Sequence, residues 1–232
     1  MGTAVANEVH ALSRRGTWDF FLDLLRDLYR ETRINSKQVD SLIKVDFFAD
    51  YGNQRELLRL AELFERFKRG EAKQIKRAQV DGGPFGEAVR RHATWTTKNG
   101  EEAKSYTFTD LPAFLRECEG IVLNGGLQEL PLAVRVQNFA DIMGYVGYIT
   151  GREDDRRLLY VKELRPLCRK SDGKHFGYSV KTQSIGSGRE GQFTVRNALF
   201  DRTPIREGDI VYCVGWERNG RYFHMTNYTK YQ

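Results

Sequence analysis

The spacing of apolar residues changes once along this chain, near Gly144, and the change divides it into a helical part and a β-rich part. Upstream, apolar residues recur at the interval that places them on one face of a helix. Downstream they fall in short β-branched and aromatic runs cut by turn signals, as strands do. The fold class this predicts is α+β in series, helices first and then a small barrel.

In the helical part, Trp18, Phe21, Leu22, Leu25, Leu28 and Tyr29 share one face of a helix that Thr17 is placed to cap, with Asp19 in its first turn. A second helix begins after Asn35 or Ser36 and runs through Val39, Leu42 and Ile43. Residues 45–52 form a compact connection into a third helix over 53–68, whose buried face holds Leu57, Leu58, Leu60, Ala61, Phe64 and Phe67. Three short helices joined this tightly resemble a helix-hairpin-helix array. Residues 82–108 mix glycine, charge and threonine with little periodicity, which predicts a mobile loop or a small hairpin. Two further helices are expected over 110–119 and 131–143, separated by the turn Asn124-Gly125-Gly126.

In the β-rich part the expected strands are 145–150, 157–164, 175–182, 192–196, 209–215 and 222–227. Gly151, Ser171-Asp172-Gly173, Gly186-Ser187-Gly188 and Asn219-Gly220 separate them, the last being a strong two-residue hairpin signal. Short strands without βαβ periodicity predict a barrel of the size of an OB-fold. The domains expected are a helical helix-hairpin-helix domain over 1–81, a loop and connector helices over 82–143, and an OB-like barrel over 144–232.

Hydrophobic residues make up 40% of the chain and charged residues 29%, which argues against wholesale disorder. No apolar run approaches the roughly 18 residues a membrane-spanning helix requires, and the N-terminus lacks the apolar core of a signal peptide. A cytoplasmic protein without membrane partners is expected. Cys118, Cys168 and Cys213 are odd in number, widely spaced and not arranged as CxxC, so buried or inert thiols are expected, with no disulfide framework and no zinc site.

The formal net charge of +6 is unevenly placed. Residues 1–151 hold 21 Lys+Arg and 21 Asp+Glu, and residues 207–232 hold 3 of each, whereas residues 152–206 hold 13 against 7. A basic excess confined to one stretch is the electrostatic footprint of a surface that docks on phosphates.

The run Arg33-Ile34-Asn35-Ser36-Lys37-Gln38-Val39-Asp40-Ser41-Leu42-Ile43-Lys44, followed by Phe48 and then Gly52-Asn53-Gln54-Arg55-Glu56-Leu57-Leu58, resembles the second helix-hairpin-helix segment of the bacterial DNA polymerase III alpha subunit family. Residues 2–16 followed by Trp18 are similar to the latter half of that family's first hairpin motif, so the chain begins inside the motif. Pro131-Leu132 through Met143-Gly144-Tyr145 is similar to its connector into an OB domain. The sequence departs from the family at Asp46 and Phe47, where glycine and alanine are usual. A carboxylate there opposes close approach of a phosphate.

The resemblance implies a C-terminal accessory region that positions template or single-stranded DNA, with no catalytic palm, no catalysis of its own, and no cofactor or metal. In the helix-hairpin-helix segment it implicates Lys44, Gly52, Asn53 and Arg55, because helix N-terminal amides and nearby cations hold phosphates in such modules. In the barrel, the expected single-strand groove draws on the cations Arg169, Lys170, Lys174, Lys181, Arg189 and Arg196, and on aromatic platforms from Phe176, Tyr178, Phe193, Tyr212 and Trp216. Tyr178, Phe193 and Trp216 are expected to be the exposed ones. Strand alternation puts Phe176, Tyr178 and Val180 on one face and Lys181 on the other. The loop over residues 186–191 precedes a strand and not a helix, so it reads as a hairpin tip carrying Arg189 over bound nucleic acid. Asp154-Asp155 reads as a solvated turn, because two-metal phosphoryl transfer needs a further ligand that the sequence does not offer.

The alternative is a protein-interaction module that recruits replisome partners such as a sliding clamp. Gln128-Glu129-Leu130-Pro131-Leu132 supplies the glutamine and leucines of a clamp peptide but lacks its terminal aromatic.

Overall fold

The computed structural model describes residues 2–80, 82–96, 102–147 and 154–231. The chain forms two compact units, Met1–Leu130 and Pro131–Gln232.

Unit 1 contains six helices and a three-stranded sheet among its described residues: α1 (Thr3–Ser13), α2 (Phe21–Glu31), α3 (Ser36–Lys44), α4 (Gln54–Arg66), β1 (Gln74–Lys76), α5 (Pro84–His92), β2 (Ala93–Thr96), β3 (Glu102–Phe108) and α6 (Leu111–Leu123). The caps of α3 and α4 follow directly from sequence. Asn35 accepts the Gln38 N–H while Gln38 returns a bond to the Asn35 N–H, and Asn53 and Glu56 do the same for α4.

The start of α2 departs from expectation. Thr17 caps nothing and the helix begins at Phe21, where the N–H groups of Phe21 and Leu22 donate to the two carboxylate oxygens of Glu119 on α6, at 2.7 and 2.9 Å. Trp18, outside the helix, donates its indole N–H to Asp27 at 2.8 Å. A carboxylate 98 residues away therefore satisfies donors that a local cap was expected to hold.

Of the two expectations for residues 82–108, the small hairpin is the one present, as β2 and β3, and the helix α5 precedes it. Pro84 starts α5 in the favoured first-turn position, and β2 and β3 pair antiparallel, with β1 on the other edge of β3. Residues 97–101, between β2 and β3 in sequence, lie outside the described residues. The sheet and α5 close over an aromatic cluster in which Phe114 lies 5.0 Å from Phe67 and 4.9 Å from Phe108 between ring centroids. Cys118 is buried beside it, and burial pushes its thiol up to about 12.

Unit 2 consists of α7 (Leu132–Met143), β4 (Leu158–Cys168), β5 (His175–Ser184), β6 (Glu190–Arg196), α8 (Asn197–Phe200), β7 (Ile210–Asn219) and β8 (Tyr222–Tyr231). The five strands close into a barrel in the order β4-β5-β6-β8-β7, with β6 and β8 parallel and every other pair antiparallel. This closed five-stranded barrel is compatible with an OB-like fold. Five of the expected strands are present. The sixth, over 145–150, forms no strand through residue 147, and its remainder, like the breaker Gly151, lies outside the described residues.

The boundary between units falls at Leu130 and not at 143, because α7 belongs with the barrel. Val136 is fully buried among Leu158, Ile185 and Ile210. The barrel core proper is Val161, Val180, Val195 and Val211, with Met225 and Tyr228. Tyr228 donates to the Thr203 carbonyl at 2.6 Å, and burial pushes its hydroxyl up to about 12. Cys213 is buried as expected, whereas Cys168, at the end of β4, is exposed.

Gly177 marks the tightest strand contact. A Cβ there would stand 2.4 Å from the Val195 carbonyl oxygen and 3.1 Å from the Arg196 Cα, both backbone atoms. Gly177→Ala is therefore expected to destabilise the barrel by about 1–3 kcal/mol through overpacking, read as a lower urea midpoint.

Candidate nucleic-acid interface

An aromatic row crosses β6, β8 and β7. It starts against the barrel core with half-buried Phe193, which pairs in register with Phe223 on the parallel strand β8. The rings of Phe193 and Phe223 lie 6.3 Å apart, and Trp216 on β7 follows at 5.3 Å from Phe223. Exposure grows outward along the row, reaching 56% at Trp216, and Tyr222 at the β7–β8 turn is 70% exposed. The Arg218 guanidinium sits 5.8 Å from the Phe223 ring, and its Nε donates to the Gly220 carbonyl at 3.0 Å, which fixes a cation over the row.

The cations divide between the two ends of β6. At its C-terminal end Arg196 pairs in register with Gly177, close to the β4–β5 turn that carries Arg169, Lys170 and Lys174. That turn is tight. The Gly173 N–H donates to the Arg169 carbonyl and the Arg169 N–H to the Lys174 carbonyl, both at 2.9 Å, with Gly173 in the left-handed region at φ 68°. All three cations are exposed. At the other end of β6 lie Arg189, which lines a polar hollow with Arg156, Gly186 and Ser187, and the β7–β8 turn with Arg218 and Arg221.

No family model, curated protein or solved structure matches the chain. The site must therefore be read from its own geometry.

Of the residues expected in the barrel groove, Phe193 and Trp216 lie in the aromatic row, Arg169, Lys170, Lys174 and Arg196 lie toward the C-terminal end of β6, and Arg189 lies at its other end. Two do not serve it as expected. Tyr178 is half-buried with its ring stacked 3.9 Å from Phe200 and edge-on to His175 at 4.7 Å, because its strand position opposite Val195 turns it toward the core side. Lys181 faces outward, as alternation requires, but its ammonium is bound to Glu163 at 2.7 Å. Lys181 holds the Glu163 carboxyl below its usual range, with Arg165 adding to the effect. Tyr212 packs against the α7 side of the core, and Phe176 is 36% exposed. Phe223, Tyr222, Arg218 and Arg221 were missed by sequence reasoning. The Asn219-Gly220 hairpin signal, which folds the strand ends together, was the available clue.

The α3–α4 segment is differently placed. Three of the amides that would hold a phosphate at the start of α4 already have partners: the Asn53 N–H donates to Glu56, the Gln54 N–H to Glu129, and the Glu56 N–H to Asn53. A phosphate would have to displace two carboxylates. Lys44 is bound to Asp40 at 2.8 Å. Gly52, at φ 156°, packs so that an added Cβ would meet Leu123 at 3.0 Å and Glu56 at 3.1 Å, which accounts for glycine there by packing. Arg55 is exposed on the first turn.

Proposed function

We propose that the barrel binds single-stranded DNA. The observation that carries this reading is the Trp216–Phe223–Phe193 row across β7, β8 and β6 with Arg218 over it, where a stretched single strand finds both ring faces and cations. Bases stack on the exposed rings, and phosphates are met by the β4–β5 turn cations and Arg196 on one side and by Arg189 and Arg221 on the other. Because stacking is indifferent to base identity, binding is expected to be nearly independent of sequence.

Within this reading the chain is an accessory, non-catalytic region that holds template or single-stranded DNA for a replicative polymerase, resembling the C-terminal region of the polymerase III alpha subunit. Support for that finer statement comes from residues 33–58 and from the order of a helical unit before an OB-like barrel. The segment over residues 33–58 plays a packing part here, since the start of α4 is bonded by Asn53, Glu56 and Glu129. The recruitment alternative draws less support. The Glu129 carboxylate and the Leu127 carbonyl are both bonded to the start of α4, which seats the glutamine-leucine segment on unit 1.

The β4–β5 turn gives a direct test. Replacing Arg169, Lys170 and Lys174 together by glutamine removes up to three phosphate contacts, so the slope of log affinity against log salt should flatten by about 2 for a single strand. An unchanged slope contradicts a role for this turn in the groove.

A further inference from the structure

Unit 1 has balanced charge in total, yet residues 66–77 hold six Lys or Arg and a single acid, Glu71. The fold sorts five of these cations into two kinds. Arg66 and Arg69 are turned back on the protein: Arg66 donates to the Gln79 carbonyl at 2.9 Å and lies 5.5 Å from the Phe85 ring, while Arg69 bonds Glu65 and Ser36 and lies 4.3 Å over Tyr29. Lys68, Lys73 and Lys76 are exposed, and none is ion-paired with a described residue.

Lys68 reaches solvent from an unusual backbone. It and Arg69 are adjacent non-glycine residues in the left-handed region, at φ 50° and 55°. The contacts of Arg69 hold the turn, and the turn presents Lys68 outward. Lys73 and Lys76 bracket β1, on which Gln74 and Lys76 are exposed and Ile75 is buried. On the same outer face, β1 sets Gln74 against Thr107 with a 3.1 Å side-chain bond and Lys76 against Ser105, and β2 adds Thr94 opposite Thr107. Trp95 belongs to the other face by alternation and meets Tyr106 there. The outer face is thus a low shelf of amide and hydroxyl groups with Lys76 on it, while exposed Lys73 stands just before β1 and exposed Lys68 in the turn upstream.

We propose that this sheet face, with Lys68, Lys73 and Lys76, is a second nucleic-acid contact that grips the phosphate backbone of duplex DNA. Its charge complements a polyanion, and short hydroxyl and amide side chains bond phosphate oxygens. Its described residues offer no ring on which an unstacked base could rest, so it suits a duplex, whose bases are already stacked inside. This surface is separate from the aromatic row of the barrel, and its chemistry stands whether or not the barrel binds single strands.

The test uses the full chain, a labelled blunt duplex and a labelled oligo-dT, titrated by fluorescence anisotropy over a salt series. Lys68→Gln, Lys73→Gln and Lys76→Gln combined should weaken duplex binding about tenfold or more at low salt and flatten its salt slope by about 2 to 3. Oligo-dT affinity should change less than about twofold, since stacking dominates there. The matching triple replacement by arginine keeps the charge and should keep duplex binding, which separates lost contact from lost folding. Trp216→Ala with Phe223→Ala should leave duplex binding intact, and a failure of oligo-dT binding alone would count against the barrel reading only. Duplex affinity and slope unchanged in the glutamine triple, or no duplex binding by the unaltered chain at low salt, overturns the inference.

Discussion

Glu119→Ala is expected to destabilise unit 1 by about 2–5 kcal/mol, because it leaves two buried N–H donors, those of Phe21 and Leu22, without an acceptor. Glu119 is 3% exposed, so water cannot readily take the carboxylate's place. The loss should appear as a lower urea midpoint for the helical transition, with the barrel transition unmoved. A midpoint shift near zero would show that α2 does not depend on this long-range cap.

Glu119 also gives the unit a pH dependence of definite sign. Burial raises its carboxyl above the ordinary 4.5, outweighing the opposing bonds from Leu22 and Phe21. The folded state then holds this proton more tightly than the unfolded chain does. Its contribution is full below pH 4.5 and declines as pH rises through the raised value. The stability difference between the unaltered chain and Glu119→Ala should therefore shrink as pH climbs above 4.5. Glu117 works in the opposite direction. Arg91 first, and His92 second, hold its carboxyl below the ordinary range, so its contribution is lost on acidification.

The largest functional effect is expected from Trp216→Ala combined with Phe223→Ala. Each stacked base contributes roughly 1–3 kcal/mol, so losing both platforms should weaken single-strand binding by about 30- to 25,000-fold. Trp216 is 56% exposed and Phe223 36%, so the barrel should keep its thermal midpoint within a few degrees. A loss of affinity with an unchanged midpoint identifies the row as a binding surface. Unchanged affinity would remove the row from the interface.

Much of this architecture was legible because the signals were local. Asn35 and Asn53, each followed three residues later by a side chain able to return the bond, marked two helix starts, and Asn219-Gly220 marked the β7–β8 hairpin. The start of α2 was not legible, since its cap comes from Glu119, far away in sequence. In residues 82–108 the hairpin was foreseen as one alternative but α5 was not, because that helix is short and packs on the Phe67–Phe114 cluster, which periodicity does not see. At the site, charge and alternation located the basic turn and the outward face of Lys181. They did not show that Glu163 occupies that lysine, that Phe200 covers Tyr178, or that the parallel β6–β8 pairing brings Phe193 beside Phe223. Balanced charge over the first 151 residues likewise concealed the lysines of the β1 edge.

The most direct test of the central claim is an anisotropy titration of labelled oligo-dT with the full chain at low and moderate salt, beside the Trp216→Ala/Phe223→Ala variant. Tight binding that weakens with salt and collapses in the variant is the predicted result. Absence of binding at low salt by the unaltered chain would contradict single-strand binding by the barrel.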